Sequence, residues 1–212
     1  MSVNQLHGKK FEDFIKACGL FPGASDSSRT TIADFDIEAK FDRTRNLPTS
    51  VKSTGNDTVA LADARRFFSI DQDFRMIVGR YEQIDNQKVF SQIYEFILTT
   101  ETLDALRGTL DLTMVASFHV GIGLGQFPRG SHIDARTWAV QRKIELAPNS
   151  SLIVLNPKID SKSQRRLQCS VRLADLIAVS EKHSEFKLNT DAIGDFVLPV
   201  IQNSARREFT SA

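Results

Sequence analysis

The chain of 212 residues is 41% hydrophobic and 25% charged, with a formal net charge of +1. These values exclude a disordered polyelectrolyte and suffice for a buried core in one domain of ordinary size, without metal or disulfide staples. Cys18 and Cys169 stand far apart with no CxxC spacing, which excludes a zinc cluster and reads as two free thiols.

No apolar run approaches the roughly 20 residues of a membrane helix. The opening MSVNQLHGKKFEDF lacks the apolar core of a signal peptide, so a cytoplasmic protein with no membrane partner is expected.

In chain order, Phe11, Phe14, Ile15 and Cys18 predict a helix over 5–18, stopped at Gly19. Residues 21–30 are turn chemistry. Alternation predicts a strand over 31–42, with Ile32, Phe35, Ile37, Ala39 and Phe41 on one face and Asp34, Asp36, Glu38, Lys40 and Asp42 on the other. A basic loop, DRTRNLP, leads to a short strand, PTSVKST. A helix is expected over 56–68, capped by Asn56 or Asp57. Strands follow at 74–83 and 88–99 around the turn IDNQ, then a helix over 99–108 with Thr100 as its cap and Gly108 as its stop. Residues 110–123 read as a strand. A helix over 132–146 carries Ile133, Thr137, Val140 and Ile144 at helical spacing. A long hairpin is predicted from 150–160 and 164–179 across the turn DSKS, followed by an apolar GDFVLPVIQ and a loose tail. This alternation predicts an α/β fold with a mixed central β-sheet flanked by helices, in a single domain over 1–212.

Five charged side chains on one strand face have two readings. One is a solvated outer face on which Lys40 softens the repulsion. The other is a divalent-metal site, since hard carboxylate oxygens collect Mg²⁺ and a neighbouring lysine stabilises charge on a phosphate or positions a water. Other chemistries have little support. His7, His119, His132 and His183 are scattered without HExxH spacing, and His119 reads as a strand histidine. Gly121, Gly123 and Gly125 do not form G-x-G-x-x-G and read as an ordinary loop.

With Glu12 on the first helix, Asp36 on the first strand and, after thirteen intervening residues, Ser50-Val51-Lys52 on the second, the sequence resembles the PD-(D/E)xK nuclease superfamily, and within it the type II restriction endonucleases. The stretch NPKIDSKSQRRLQCS also resembles a restriction-enzyme segment. The resemblance implies a restriction-endonuclease-like core over about 8–100, with DNA-recognition elements over about 110–180. It implies Mg²⁺ as cofactor, with Mn²⁺ as a substitute, and a homodimer acting on double-stranded DNA. It makes Asp36, Lys52, Glu12, Glu38 and Ser50 the catalytic set, with Asp36, Glu38, Glu12 and the Val51 carbonyl as metal ligands. Ser50 departs from the family, which usually carries an acid there. Glu38, two residues past Asp36, and Glu12 are the carboxylates that can replace it. A rival frame, Asp26 with Glu38-Ala39-Lys40, satisfies the motif literally but places its aspartate in a Gly/Ser loop.

For the nucleic acid, Arg43 and Arg45 flank the site and suit phosphates. Lys158, Lys162, Gln164, Arg165, Arg166 and Gln168 lie on the basic hairpin, whose arginines and glutamines suit base edges in the major groove. Arg136, Arg142 and Lys143 on the helix over 132–146 suit phosphates. A solvated hairpin charged for solubility is the other reading. The functional expectation is a Mg²⁺-dependent, sequence-specific DNA endonuclease. A structure-specific repair or junction nuclease of the same fold, and a non-catalytic DNA-binding module, stand as alternatives.

Overall fold

The computed structural model describes residues 3–24 and 35–202. Asp26 of the literal frame, Ile32, Asp34 and the tail from 203 onward lie outside the described residues. In chain order the elements are α1 (Val3–Ala17), β1 (Thr49–Thr54), β2 (Thr58–Asp63), α2 (Ala64–Phe68), β3 (Phe74–Ile84), β4 (Gln87–Leu98), α3 (Thr100–Arg107), α4 (Leu112–Gly121), α5 (His132–Leu146), β5 (Ile153–Ile159), β6 (Arg165–Arg172), α6 (Leu173–His183), β7 (Glu185–Asn189), β8 (Ala192–Ile193), β9 (Phe196–Val197) and β10 (Val200–Ile201). The architecture is mixed α/β. The chain forms two compact units, each built from non-consecutive stretches.

The first unit comprises Met1–Asp57, Asp73–Leu98 and Ser184–Ala212. Its mixed sheet runs β1-β3-β4-β10, with β7 also paired to β4. β1 is parallel to β3, and the long β3–β4 hairpin is antiparallel. The first half of β3 is buried on both faces, as its near-continuous apolar run requires. Helix α1 packs on β1 and β10. Its Phe11 ring lies flat on Phe90, with centroids 4.4 Å apart. Gly79 makes room for this stack, because a Cβ there would sit 2.4 Å from Phe11 Cζ and 2.6 Å from Phe90 Cε1. Ile15, Cys18, Phe21, Ile37, Val51, Ile77 and Ile93 complete the core.

The second unit comprises Thr58–Gln72 and Thr99–His183. Its sheet is antiparallel in the order β2-β6-β5. Val59, Leu61, Ile153, Leu155, Leu167, Cys169 and Val171 face inward and are buried, with α2 and α4 against β6 and α5 against β5. Gly108 ends α3 at φ +59, a left-handed conformation suited to glycine. Arg107 is half-buried against Phe67 and Phe68, and its Nη2 donates to the carbonyls of Phe67 and Ile70 at 2.8 Å. Burial lowers its pKa from the ordinary arginine value.

The structure corrects five sequence-based expectations. Residues 35–42 are not a strand. Ile37 makes an isolated bridge to Thr49, and Ala39–Phe41 form a 3-10 turn. The cause is Asp42, which is buried and whose Oδ1 accepts from the amides of Thr44 and Arg45 and from the Thr44 hydroxyl, bending the backbone away from a ladder. Residues 58–68 are a strand followed by a short helix, with Asp63 as the N-cap accepting from the Arg66 amide at 3.0 Å. Period-two burial of Val59 and Leu61 prevails over helical propensity there. Residues 112–121 form a helix, because the Asp111 carboxylate caps it by accepting from the Met114 amide at 2.7 Å. His119 is therefore a helix residue. The long second hairpin strand stops at Arg172 and continues as α6, whose Leu173, Leu176 and Ser180 are buried at helical spacing. Finally, the cap of α3 is Thr99, not Thr100; its Oγ1 accepts from the Thr102 amide at 3.2 Å.

Candidate active site

The site belongs to the first unit and is built on the edge of β1. The Thr49 carbonyl accepts from the amides of Asp36 and Ile37, both at 3.0 Å, and the Thr49 amide donates to the Ile37 carbonyl at 2.8 Å. These bonds lay the 36–37 backbone along the start of β1. The loop returning from it is tied down by a buried ion pair, in which Arg75 Nη2 lies 3.5 Å from Asp42 Oδ2 and donates to Thr44 Oγ1 at 2.9 Å.

Asp36 Oδ2 is the meeting point. It accepts from the Val51 amide at 2.8 Å, from Lys52 Nζ at 3.1 Å and from Ser50 Oγ at 3.4 Å. Lys52 Nζ also donates to the Val51 carbonyl at 3.2 Å. The Asp36 and Lys52 side chains are 22% and 21% exposed, so the pair is partly dry yet open to a ligand. The ammonium thus sits between a carboxylate oxygen and a carbonyl oxygen, the two ligand types that the sequence resemblance gives to a metal.

The other expected residues are placed differently. Glu12 is buried on α1 and paired with Lys16 at 3.0 Å. Glu38 does not share a strand face with Asp36; it is exposed and paired with Lys40 at 2.8 Å, because the 3-10 turn carries both outward. The Glu38/Lys40 pair of the literal frame is therefore a surface ion pair. Arg43 is exposed. Arg45 makes a two-pronged pair with Glu185, through Nη1–Oε1 at 2.8 Å and a contact of Nη2 with Oε2. That bond raises the pKa of Arg45 and lowers that of Glu185.

In the second unit, Lys158, Lys162 and Arg166 are exposed, and Gln164 and Gln168 are half-buried. Arg165 is not available to bases. It is 8% exposed, and its Nη1 closes the hairpin turn by donating to the carbonyls of Asp160 at 2.7 Å and Gln164 at 2.9 Å. Arg136 braces the same turn from α5, with Nε and Nη2 donating to the Ile159 carbonyl. The Asp42–Arg75 pair escaped sequence reasoning, since Asp42 read as the last member of an exposed acidic face and no local pattern links it to Arg75.

Among the described residues no three or more His, Cys, Asp or Glu side chains gather as a metal-binding group. No described helix is long and apolar enough to cross a membrane. The chain matches no family model, no curated protein and no solved structure.

Proposed function

We propose that the protein is a Mg²⁺-dependent, sequence-specific endonuclease for double-stranded DNA, of the type II restriction class. The observation that carries this reading is the convergence of Asp36 and Lys52 with the Val51 carbonyl, across the bridge between Ile37 and Thr49.

The donor set fits Mg²⁺, which takes hard oxygens, often only one or two carboxylates, and leaves the remaining positions to water and substrate phosphate. Asp36 and the Val51 carbonyl are the residues to hold it. When bound, the ion neutralises phosphate oxygens and lowers the pKa of a coordinated water. Lys52 supplies a fixed positive charge where negative charge develops on the phosphoryl oxygens. Ser50 donates to Asp36 and so helps orient it. Each chain offers one such site while a duplex has two strands, so a two-fold dimer is the assembly proposed for double-strand cutting.

A specific observation favours a second reading, a DNA-binding module without catalysis. The Lys52 ammonium already engages both candidate metal ligands, so a permanent internal cation can serve the site structurally.

The test is incubation of a plasmid of known sequence with Mg²⁺ and mapping of the ends. Discrete cut positions are expected, and Asp36→Ala and Lys52→Ala should each lower the rate about 10²–10³-fold. Full cutting by both variants overturns the site. Cutting confined to branched DNA assigns a junction nuclease. No cutting with Mg²⁺ or Mn²⁺ assigns the binding module.

A further inference from the structure

We infer that the outer face of the β5–β6 ribbon enters the major groove of duplex DNA, with Lys158 and Arg166 on the phosphates and Asn156 and Gln168 against base edges. This rests on the part of the proposed function that makes duplex DNA the ligand, and not on catalysis.

The inward side of the ribbon is apolar, and the outward side alternates with it. Three rungs share the outer face, Lys158 opposite Arg166, Asn156 opposite Gln168, and Val154 opposite Ser170, of which Ser170 is buried. Neither strand contains an acidic residue. Lys158 and Arg166 are exposed, and among the described residues neither has an ion-pair partner. Like charges directly opposite on a sheet are destabilising, and a polyanion lying across the rung reverses that cost. The nearby acids are otherwise engaged. Asp175 holds Arg172 at 2.6 Å, Asp63 caps α2, and Asp160 accepts from the amides of Lys162 and Gln164. Lys162 adds a further exposed cation at the tip.

The shape fits as well as the charge. β2 pairs with β6 only over Gln168–Arg172. Beyond that the ribbon is two-stranded, and the Lys158/Arg166 rung and the turn project past β2. A two-stranded ribbon is an element that the major groove, about 12 Å wide, admits. The projection is braced by Arg165 and Arg136, so little ordering is left for binding to impose.

The middle rung carries readable chemistry. Asn156 Nδ2 donates to the Val154 carbonyl at 3.2 Å and to Ser170 Oγ at 2.8 Å. A carbonyl can only accept, so the amide nitrogen is the atom turned to the sheet, and Oδ1 is left as acceptor. That group suits the exocyclic amino group of adenine or cytosine. Gln168, opposite, offers both donor and acceptor.

The experiment uses the full chain carrying Asp36→Ala, so that binding is read without cutting, and measures anisotropy of a labelled mixed-sequence DNA duplex against salt. Lys158→Ala/Arg166→Ala is expected to weaken binding about tenfold or more and to reduce the slope of log K against log salt by about 2, close to 0.9 for each lost phosphate contact. Its thermal melt should match that of the parent, and Lys158→Arg/Arg166→Lys should restore the slope. A duplex RNA of the same sequence should bind more weakly, because its major groove is too narrow for side chains to read. Unchanged affinity and slope in the alanine pair, equal binding of the RNA duplex, or no affinity of the parent for duplex DNA each overturns the inference. A wild-type chain that never cuts, yet binds duplex DNA through this rung, sinks the catalytic reading and leaves the inference standing.

Discussion

The two long hairpins use the same backbone pairing for opposite ends. β3–β4 is central to its sheet. The first six residues of β3 are buried, and even its charged Arg75 is enclosed with Asp42. β5–β6 has one dry face and one wet face, and its edge strand tolerates Pro157 because an edge has amides to spare. A strand covered on both sides has every side chain fixed by packing. A strand covered on one side has only every second side chain fixed, and the remainder can serve a partner.

Mutations break or sharpen this contrast. The largest effect is expected for Phe90→Ala in the covered hairpin, which removes half of the ring stack with Phe11 and should cost about 3–5 kcal/mol in urea unfolding. In the second hairpin, Leu167→Ala on the dry face should cost about 2–5 kcal/mol. Its neighbour on the wet face, Arg166→Ala, should leave the midpoint within about 0.5 kcal/mol. A loss of several kcal/mol at Arg166 would erase the distinction between the faces. Arg165→Ala should cost about 1–3 kcal/mol, since it leaves the Asp160 carbonyl without its donor and the Gln164 carbonyl with the Asp160 amide alone.

The smallest effect is a pH response at the hairpin tip. Backbone amides, that of Gln164 foremost, hold the Asp160 carboxyl below the ordinary aspartate range. A folded value below the unfolded one means the contribution is intact above about pH 3.9 and vanishes as pH falls through the folded value. The protection factors of the Lys162 and Gln164 amides, taken relative to intrinsic exchange at each pH, should therefore fall on acidification in the wild type and be insensitive to that step in Asp160→Asn.

How much the sequence disclosed depends on the range of the forces concerned. Asp36 and Lys52 were legible as partners only through the resemblance to a nuclease motif, and their side chains do meet, at 3.1 Å. The strand that was to carry Asp36 was not legible, because the decisive bonds of Asp42 run to a loop and to Arg75 on a distant strand. Helix α5 shows the same limit. Its spacing of Ile133, Thr137, Val140 and Ile144 marks a helix, yet the three aliphatic residues of that row are 59–66% exposed, while Ala135 and Ala139 are buried. Periodicity reveals that a helix has faces; which face is covered depends on how closely its neighbour approaches, and there small residues won. For β2 and α4, short apolar runs suited either state, and the capping carboxylates of Asp63 and Asp111 mark where each helix starts.

The two cysteines acquire a use from their positions. Cys18 lies in the core of the first unit and Cys169 in that of the second, at 0% and 1% exposure. Burial raises both thiols, Cys169 to about 12. Only the thiolate attacks an alkylating or disulfide reagent, so neither reacts until its own surroundings open. The polypeptide therefore carries two internal clocks, one for each unit. Equal labelling rates would mean that the units open together; unequal rates would rank their local stabilities without a single engineered probe.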